Sequence, residues 1–73
     1  MDEIKFNRGD MIFNKKDKIF FVVVDYDRFW LQFSFFDQDR ARYIDSKKEQ
    51  IIQQLNSEEG KRHLEYYPVL KNG

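Results

Sequence analysis

Residues 29–35 alternate between apolar and polar side chains, and this alternation constrains the fold more than any other feature of the chain. The apolar set is Phe29, Leu31, Phe33 and Phe35, and the opposite set is Trp30, Gln32 and Ser34. A period of two over seven residues is typical of an antiparallel β-strand with one face buried. We therefore predict a strand over residues 29–36 and expect the apolar set to lie in the core.

Three further segments in the first 45 residues favour strands. Residues 18–26 contain an unbroken apolar run from Ile19 to Val24. A run that is apolar on both parities predicts a central strand covered on both faces. Residues 11–14 and 42–44 are shorter candidates, rich in side chains that suit a pleated sheet. A turn at residues 7–10 precedes the first strand, and Gly9 is expected to supply a positive φ there. Polar turns join the strands.

The composition changes near Asp45, where helix-favouring Lys, Glu, Gln, Ile and Leu take over. Ser46 and Glu49 match a capping box, which predicts the start of a helix. Ser57 can cap a second helix, although one helix over residues 46–66 is the alternative. Gly60 counts against that alternative. Pro68 ends the helical part, and residues 67–70 could form a final short strand.

These elements predict one small domain of 73 residues: a β-rich part over 1–45, a helical part over 46–67 and a tail over 68–73. The expected fold class is α+β, an antiparallel β-meander of three to five strands followed by one or two C-terminal helices. We expect the sheet to be SH3-like, either curled or a partial barrel. The 13 aromatic residues (8 Phe, 4 Tyr, 1 Trp) supply the core that so short a chain needs.

Most catalytic and metal-binding classes lack their residues here. The chain has no cysteine, and its single histidine, His63, has no candidate nucleophile beside it in the sequence. Three scattered glycines cannot form a phosphate-binding loop. Two Asp-x-Asp patterns, at residues 25–27 and 37–39, could hold a hard cation, but Asp is a common turn residue and we favour the turn interpretation. We expect no enzyme activity, no catalytic residue, no cofactor and no metal.

An aromatic surface is the remaining candidate site. Phe20 and Tyr26 share a parity in one strand, and Trp30 lies on the polar parity of the next. Exposed Trp and Tyr often anchor partners, so these three residues, with Arg28 and Arg42 at the rim, form the predicted partner-binding site. The alternative is that the helices cover this face with apolar residues, which a small domain favours. The residues available for that cover are Ile51, Ile52, Leu55 and Leu64.

Basic residues among the aromatics suggest a second use, binding of single-stranded nucleic acid. Lys16 and Lys18 are the cations expected to carry it. The balance of 13 basic and 13 acidic residues argues against a strong pull on phosphates. Nucleic acid is therefore the second choice of partner, after a protein.

The sequence Phe6-x-x-Gly9-Asp10-Met11-Ile12, followed by short hairpins with Val-Val-Val-Asp in the second strand, resembles small SH3-like β-barrels. This resemblance covers residues 6–44 and implies a place among KOW, Tudor and uncharacterised bacterial or phage domains. The Trp pair and acidic loop of peptide-binding SH3 domains are missing, so the resemblance implies no binding residues.

The functional expectation is a non-enzymatic protein-interaction module, small enough to be an accessory regulator. Its partner is an unidentified protein or a second copy in a homodimer. No apolar run approaches the roughly 18 residues of a membrane span, and Met1-Asp2-Glu3 does not resemble the start of a signal peptide. We therefore expect a cytoplasmic protein with no membrane partner.

Overall fold

A computed structural model describes residues 4–69 of the chain, as five strands and two helices. Their order is β1 (Met11–Asn14), β2 (Ile19–Tyr26), β3 (Trp30–Asp37), β4 (Arg40–Lys47), α1 (Lys48–Asn56), α2 (Glu58–His63) and β5 (Leu64–Tyr67).

All strand pairs are antiparallel, and the sheet order is β4-β3-β2-β1-β5. The first four strands form a meander, and the helices carry the chain across so that β5 pairs with β1. Within residues 4–69, β4 and β5 lie at opposite edges and the sheet is open. The predicted α+β meander with C-terminal helices is confirmed.

The fourth strand is longer than its polar sequence predicts. It pairs with β3 over eight positions, from Trp30↔Lys47 to Asp37↔Arg40. Ser46 therefore lies in β4, and the predicted capping box is wrong, because the N-cap of α1 is Lys47 and its side chain makes no capping hydrogen bond. Backbone pairing along a full neighbouring strand outweighs a local capping signal at this point.

Two helices form, and the segment is shorter at both ends than the predicted 46–67. Ser57 has an extended conformation (φ −80°, ψ 153°), and its hydroxyl accepts a hydrogen bond from the Gly60 amide at 2.9 Å. The predicted cap of the second helix is thus confirmed. The final strand occupies 64–67 instead of 67–70, because Leu64 and Tyr66 pair with Asn14 and Ile12; residue 70 lies outside the described residues.

The core lies on one side of the sheet. Its buried members are Phe6, Ile12, Val23, Leu31 and Phe33, and packed against them are Ile51, Ile52, Leu55 and Leu64 from the helices and β5. Leu31 and Phe33 match the sequence prediction and Phe35 is half-buried, but Phe29 is 66% exposed because it lies in the turn before β3. Within residues 4–69, no helix combines the length and apolarity that a membrane crossing needs.

Candidate functional site: the open face and the turn groove

The helices cover only one face of the sheet. This corrects the expectation that β2 is covered on both faces and the alternative that the helices cover the aromatic face. Ile51, Ile52, Leu55 and Leu64 pack on the side of Leu31 and Phe33 and leave the opposite side bare. The central strand β2 is therefore not covered on both faces, since Phe20 is 50% exposed. We call the bare side the open face, and its large apolar members by register are Met11, Phe13, Phe20, Val22, Trp30, Phe36, Tyr43 and Tyr67.

Each of the five strands contributes a large apolar side chain to the open face, and an aromatic row crosses β1, β2 and β3. Phe13 and Phe20 are cross-strand partners whose ring centroids lie 4.4 Å apart. Continuing the β2–β3 register places Phe36 opposite Phe20. Phe36 and Tyr43 are 73% and 61% exposed, values that leave most of each ring in contact with water. Single exposed apolar residues are ordinary, but a contiguous aromatic patch marks an interaction surface.

A bulge in β2 divides the aromatic residues that the sequence grouped together. The register shifts between Val23 and Asp25, so that Tyr26 pairs with Leu31, a core-side residue. Tyr26 thus turns to the helix side, away from Phe20, although both remain exposed. The extra residue reverses which side chains face the core in the rest of the strand. A sequence pattern with a period of two residues does not predict this reversal.

The predicted rim residues also separate. Arg42 pairs with Phe35 on the helix side, and its Nε forms an ion pair with Asp37 Oδ2 at 3.0 Å. Arg28 lies in the β2–β3 turn, with its guanidinium 5.5 Å from the Phe29 ring centroid. The structure therefore brings Tyr26, Arg28 and Trp30 together at one end of the sheet. Phe20 shares the open face with Trp30 by register but lies farther along the strands, and Arg42 lies on the helix side.

That end of the sheet carries a second surface, which we call the turn groove. It lies between residues 4–7, the β2–β3 turn and the first turns of α1. Its charged residues are the cations Lys5, Arg28, Lys47 and Lys48 and one anion, Glu49. Its exposed rings are Tyr26, Phe29 and Trp30, which are 42%, 66% and 44% exposed.

Lys48 fixes the geometry of the turn groove. Its amide donates to the Phe29 carbonyl at 2.8 Å, and its ammonium donates to the Asp27 carbonyl at 2.7 Å. The same ammonium lies 5.5 Å from the centroid of the Tyr26 ring. The helix is thereby tied to the turn, and a cation is held beside an aromatic face.

An acidic cleft adjoins the groove on the other side of Trp30, lined in part by Asp25, Asp27 and Asp45. Asp25 pairs with Arg8 at 3.1 Å, and this hydrogen bond lowers the pKa of the Asp25 carboxyl. Asp27 Oδ1 accepts from the amides of Phe29 and Trp30, both at 2.8 Å, which is a turn-stabilising role. Within residues 4–69 no group of three or more potential metal ligands comes together.

No family model matches this chain, and neither a curated protein nor a solved structure matches it. The two surfaces are therefore the features of the molecule that bear on its function.

Most of the open face lies outside the predicted partner-binding site. Phe36, Tyr43 and Tyr67 belong to it, and only Phe36 carries a local signal, because it breaks the alternation of its strand with an apolar residue on the outward parity. Tyr43 and Tyr67 could not be assigned to a face, because the face depends on the length of β4 and on the pairing of β5 with β1.

Proposed function

We propose that this chain is a non-enzymatic protein-interaction module that binds through the open face, and that the surface it packs against is the open face of a second copy. The observation that carries the proposal is the placement of both helices on one side of the sheet. Aromatic side chains on the other side stay in contact with water, at a free-energy cost that burial in a partner would remove.

The chemistry of the open face suits a second copy. Its central residues carry no formal charge, and its charged residues by register lie at the edges and at one end: Glu65 in β5, Asp45 and Lys47 in β4, and Asp25 at the end of β2. The centres of two copies related by a two-fold axis would therefore meet without like-charge repulsion. The chain as a whole is also neutral, with 13 basic and 13 acidic residues. Two antiparallel sheets can pack face to face with interdigitating side chains about 10 Å apart.

The size of the open face supports the same conclusion. Three strands have eight residues and two have four. At about 4.8 Å between strands and about 3.3 Å rise per residue, the flat area of the face is about 500 Å². Its projecting aromatic side chains raise the accessible area toward the roughly 800 Å² that each partner contributes to a standard interface.

The test is light scattering coupled to size-exclusion chromatography on the full chain and two variants. We expect twice the 9.0 kDa mass for the wild type and a monomer for the double variant Phe36→Glu/Tyr43→Glu, which introduces charge into the packed face. Phe29→Glu is the matched control: Phe29 is about as exposed as Phe36 but lies in the turn groove, so this variant should remain dimeric.

A wild type that stays monomeric at high protein concentration would overturn self-association. Equal dissociation of the double variant and the Phe29→Glu control would show that the open face is not the interface.

We further propose an SH3-like character for residues 6–44, supported by the short antiparallel strands of the meander. We also propose a cytoplasmic accessory role, which fits a chain without cysteine.

A further inference from the structure

We propose that the turn groove binds single-stranded nucleic acid, independently of the open face. The groove combines the two features that such binding needs, cations for the phosphates and exposed flat rings for the bases. Lys16 and Lys18, the cations that the sequence suggested, lie in the β1–β2 turn and do not line it.

The charge of the groove differs from that of the chain. Among its lining residues four cations face one anion, whereas the chain as a whole is neutral. Within residues 4–69 the salt bridges are Arg8–Asp25 and Arg42–Asp37, and neither involves a groove cation. Lys5, Arg28 and Lys47 are exposed, so their charges are available to a phosphate backbone.

The rings favour a nucleic acid over an acidic peptide. An acidic peptide would use the cations alone, whereas Tyr26, Phe29 and Trp30 offer exposed faces on which bases can stack. Two of the rings already have a cation beside them, Arg28 at Phe29 and Lys48 at Tyr26, each 5.5 Å from the ring centroid. A base could thus stack on a ring while its phosphate contacts the cation beside that ring.

The acidic cleft limits where the strand can run. Asp25 is paired with Arg8 and Asp27 is engaged with the turn amides, but Asp45 adds a further negative charge beside Trp30. The strand must therefore follow the side of Trp30 that faces α1 and residues 4–7.

The experiment titrates the full chain with a short oligothymidylate and follows the fluorescence of Trp30, the only tryptophan. We expect quenching, with an affinity that falls between about 50 mM and about 200 mM salt. The triple variant Lys5→Gln/Arg28→Gln/Lys47→Gln should lower the salt slope by about two, at about 0.7 per lost phosphate contact. Phe29→Ala should weaken binding by about 5- to 150-fold, as loss of a stacking ring does.

The matched control is Lys15→Gln/Lys16→Gln/Lys61→Gln, which removes the same charge from residues outside the groove. It should retain both the affinity and the salt slope, and the open-face variant Phe36→Glu/Tyr43→Glu should bind the oligonucleotide normally.

Three results would overturn the proposal. The first is no quenching at about 50 mM salt. The second is equal loss of affinity in the groove triple variant and its control, which would show an effect of total charge. The third is full competition by polyglutamate with no effect of Phe29→Ala, which would identify the groove as an acidic-peptide site.

Discussion

At the scale of the residue, Asp10 links the segment before β1 to β5 and the residues that follow it. Its side chain is fully buried, and its carboxylate accepts from the Asn7 amide, the Val69 amide and the Tyr66 hydroxyl, at 2.9, 2.8 and 2.7 Å. A buried carboxylate is tolerated when donors satisfy it. Gly9 makes the approach possible with φ +95°, a conformation that other residues rarely adopt.

The Tyr66–Asp10 hydrogen bond predicts a loss of stability at alkaline pH. Burial, together with the hydrogen bond to Asp10, raises the pKa of Tyr66 above its usual value of about 10. A raised folded-state pKa contributes stability that is fully present below pH 10 and lost as the pH rises further. At neutral pH, Tyr66→Phe should lower the free energy of unfolding by about 1–3 kcal/mol.

Urea unfolding at neutral pH and above pH 10 checks this prediction. The difference between wild type and Tyr66→Phe should narrow as the pH rises. Tyr67→Phe is the control: Tyr67 is more exposed, and its pKa is raised mainly by its hydrogen bond to Glu65. A gap that stays constant, or that is matched by Tyr67→Phe, would contradict the assignment.

At the scale of the element, the junction between α1 and α2 leaves no space for a side chain at Gly60. Ser57 accepts from the Gly60 amide, and its own amide donates to the carbonyls of Gln53 and Gln54. A Cβ atom on Gly60 would lie 1.6 Å from the Gln54 carbonyl oxygen. Glycine is thus required at position 60 because a side chain would not fit there, and not because the backbone is left-handed.

Gly60→Ala should therefore destabilise the protein, although alanine is the better helix former. The obstacle is backbone and cannot rotate away, so the two helices must separate. We expect a loss of about 1–3 kcal/mol in the free energy of unfolding, measured by chemical denaturation. Glu59→Ala, one position earlier on an exposed site, should change it little; a stabilised Gly60→Ala would show that the helices pack differently.

The whole molecule is a single sheet with a core on one side. Phe33 is 2% exposed and Phe36 is 73% exposed, although they lie three residues apart on β3. Phe33→Ala should cost about 3–5 kcal/mol, a large part of the stability of so small a domain. Phe36→Ala should change the stability of the monomer by no more than about 0.5 kcal/mol.

Denaturant unfolding at low protein concentration, where self-association is weakest, separates these two effects. A large loss of stability from Phe36→Ala under those conditions would mean that the open face is packed within the monomer.

Local signals in the sequence are enough to predict β1, β2 and β3 and the cap of the second helix, but not the length of β4 or the place of β5. The alternation of residues 29–35 identified β3 and two of its buried residues, and the apolar run of residues 19–24 identified β2. Gly9 and Ser57 act as their types predict, because turn and cap geometry depends on neighbouring backbone. Ser46 does not cap a helix because it pairs with Leu31 in the sheet.

The sequence by itself determined the order of the elements, strands first and helices after them, and the positions of β1, β2 and β3. Only the tertiary structure decided which side of the sheet the helices cover, because both faces of β2 offer apolar side chains of similar size. The tertiary structure also places Tyr26 on the opposite face from Phe20, because one extra residue in β2 inverts the alternation. It brings Lys5, Arg28 and Lys47 to one groove, and no local sequence pattern predicts contacts between segments so far apart in the chain.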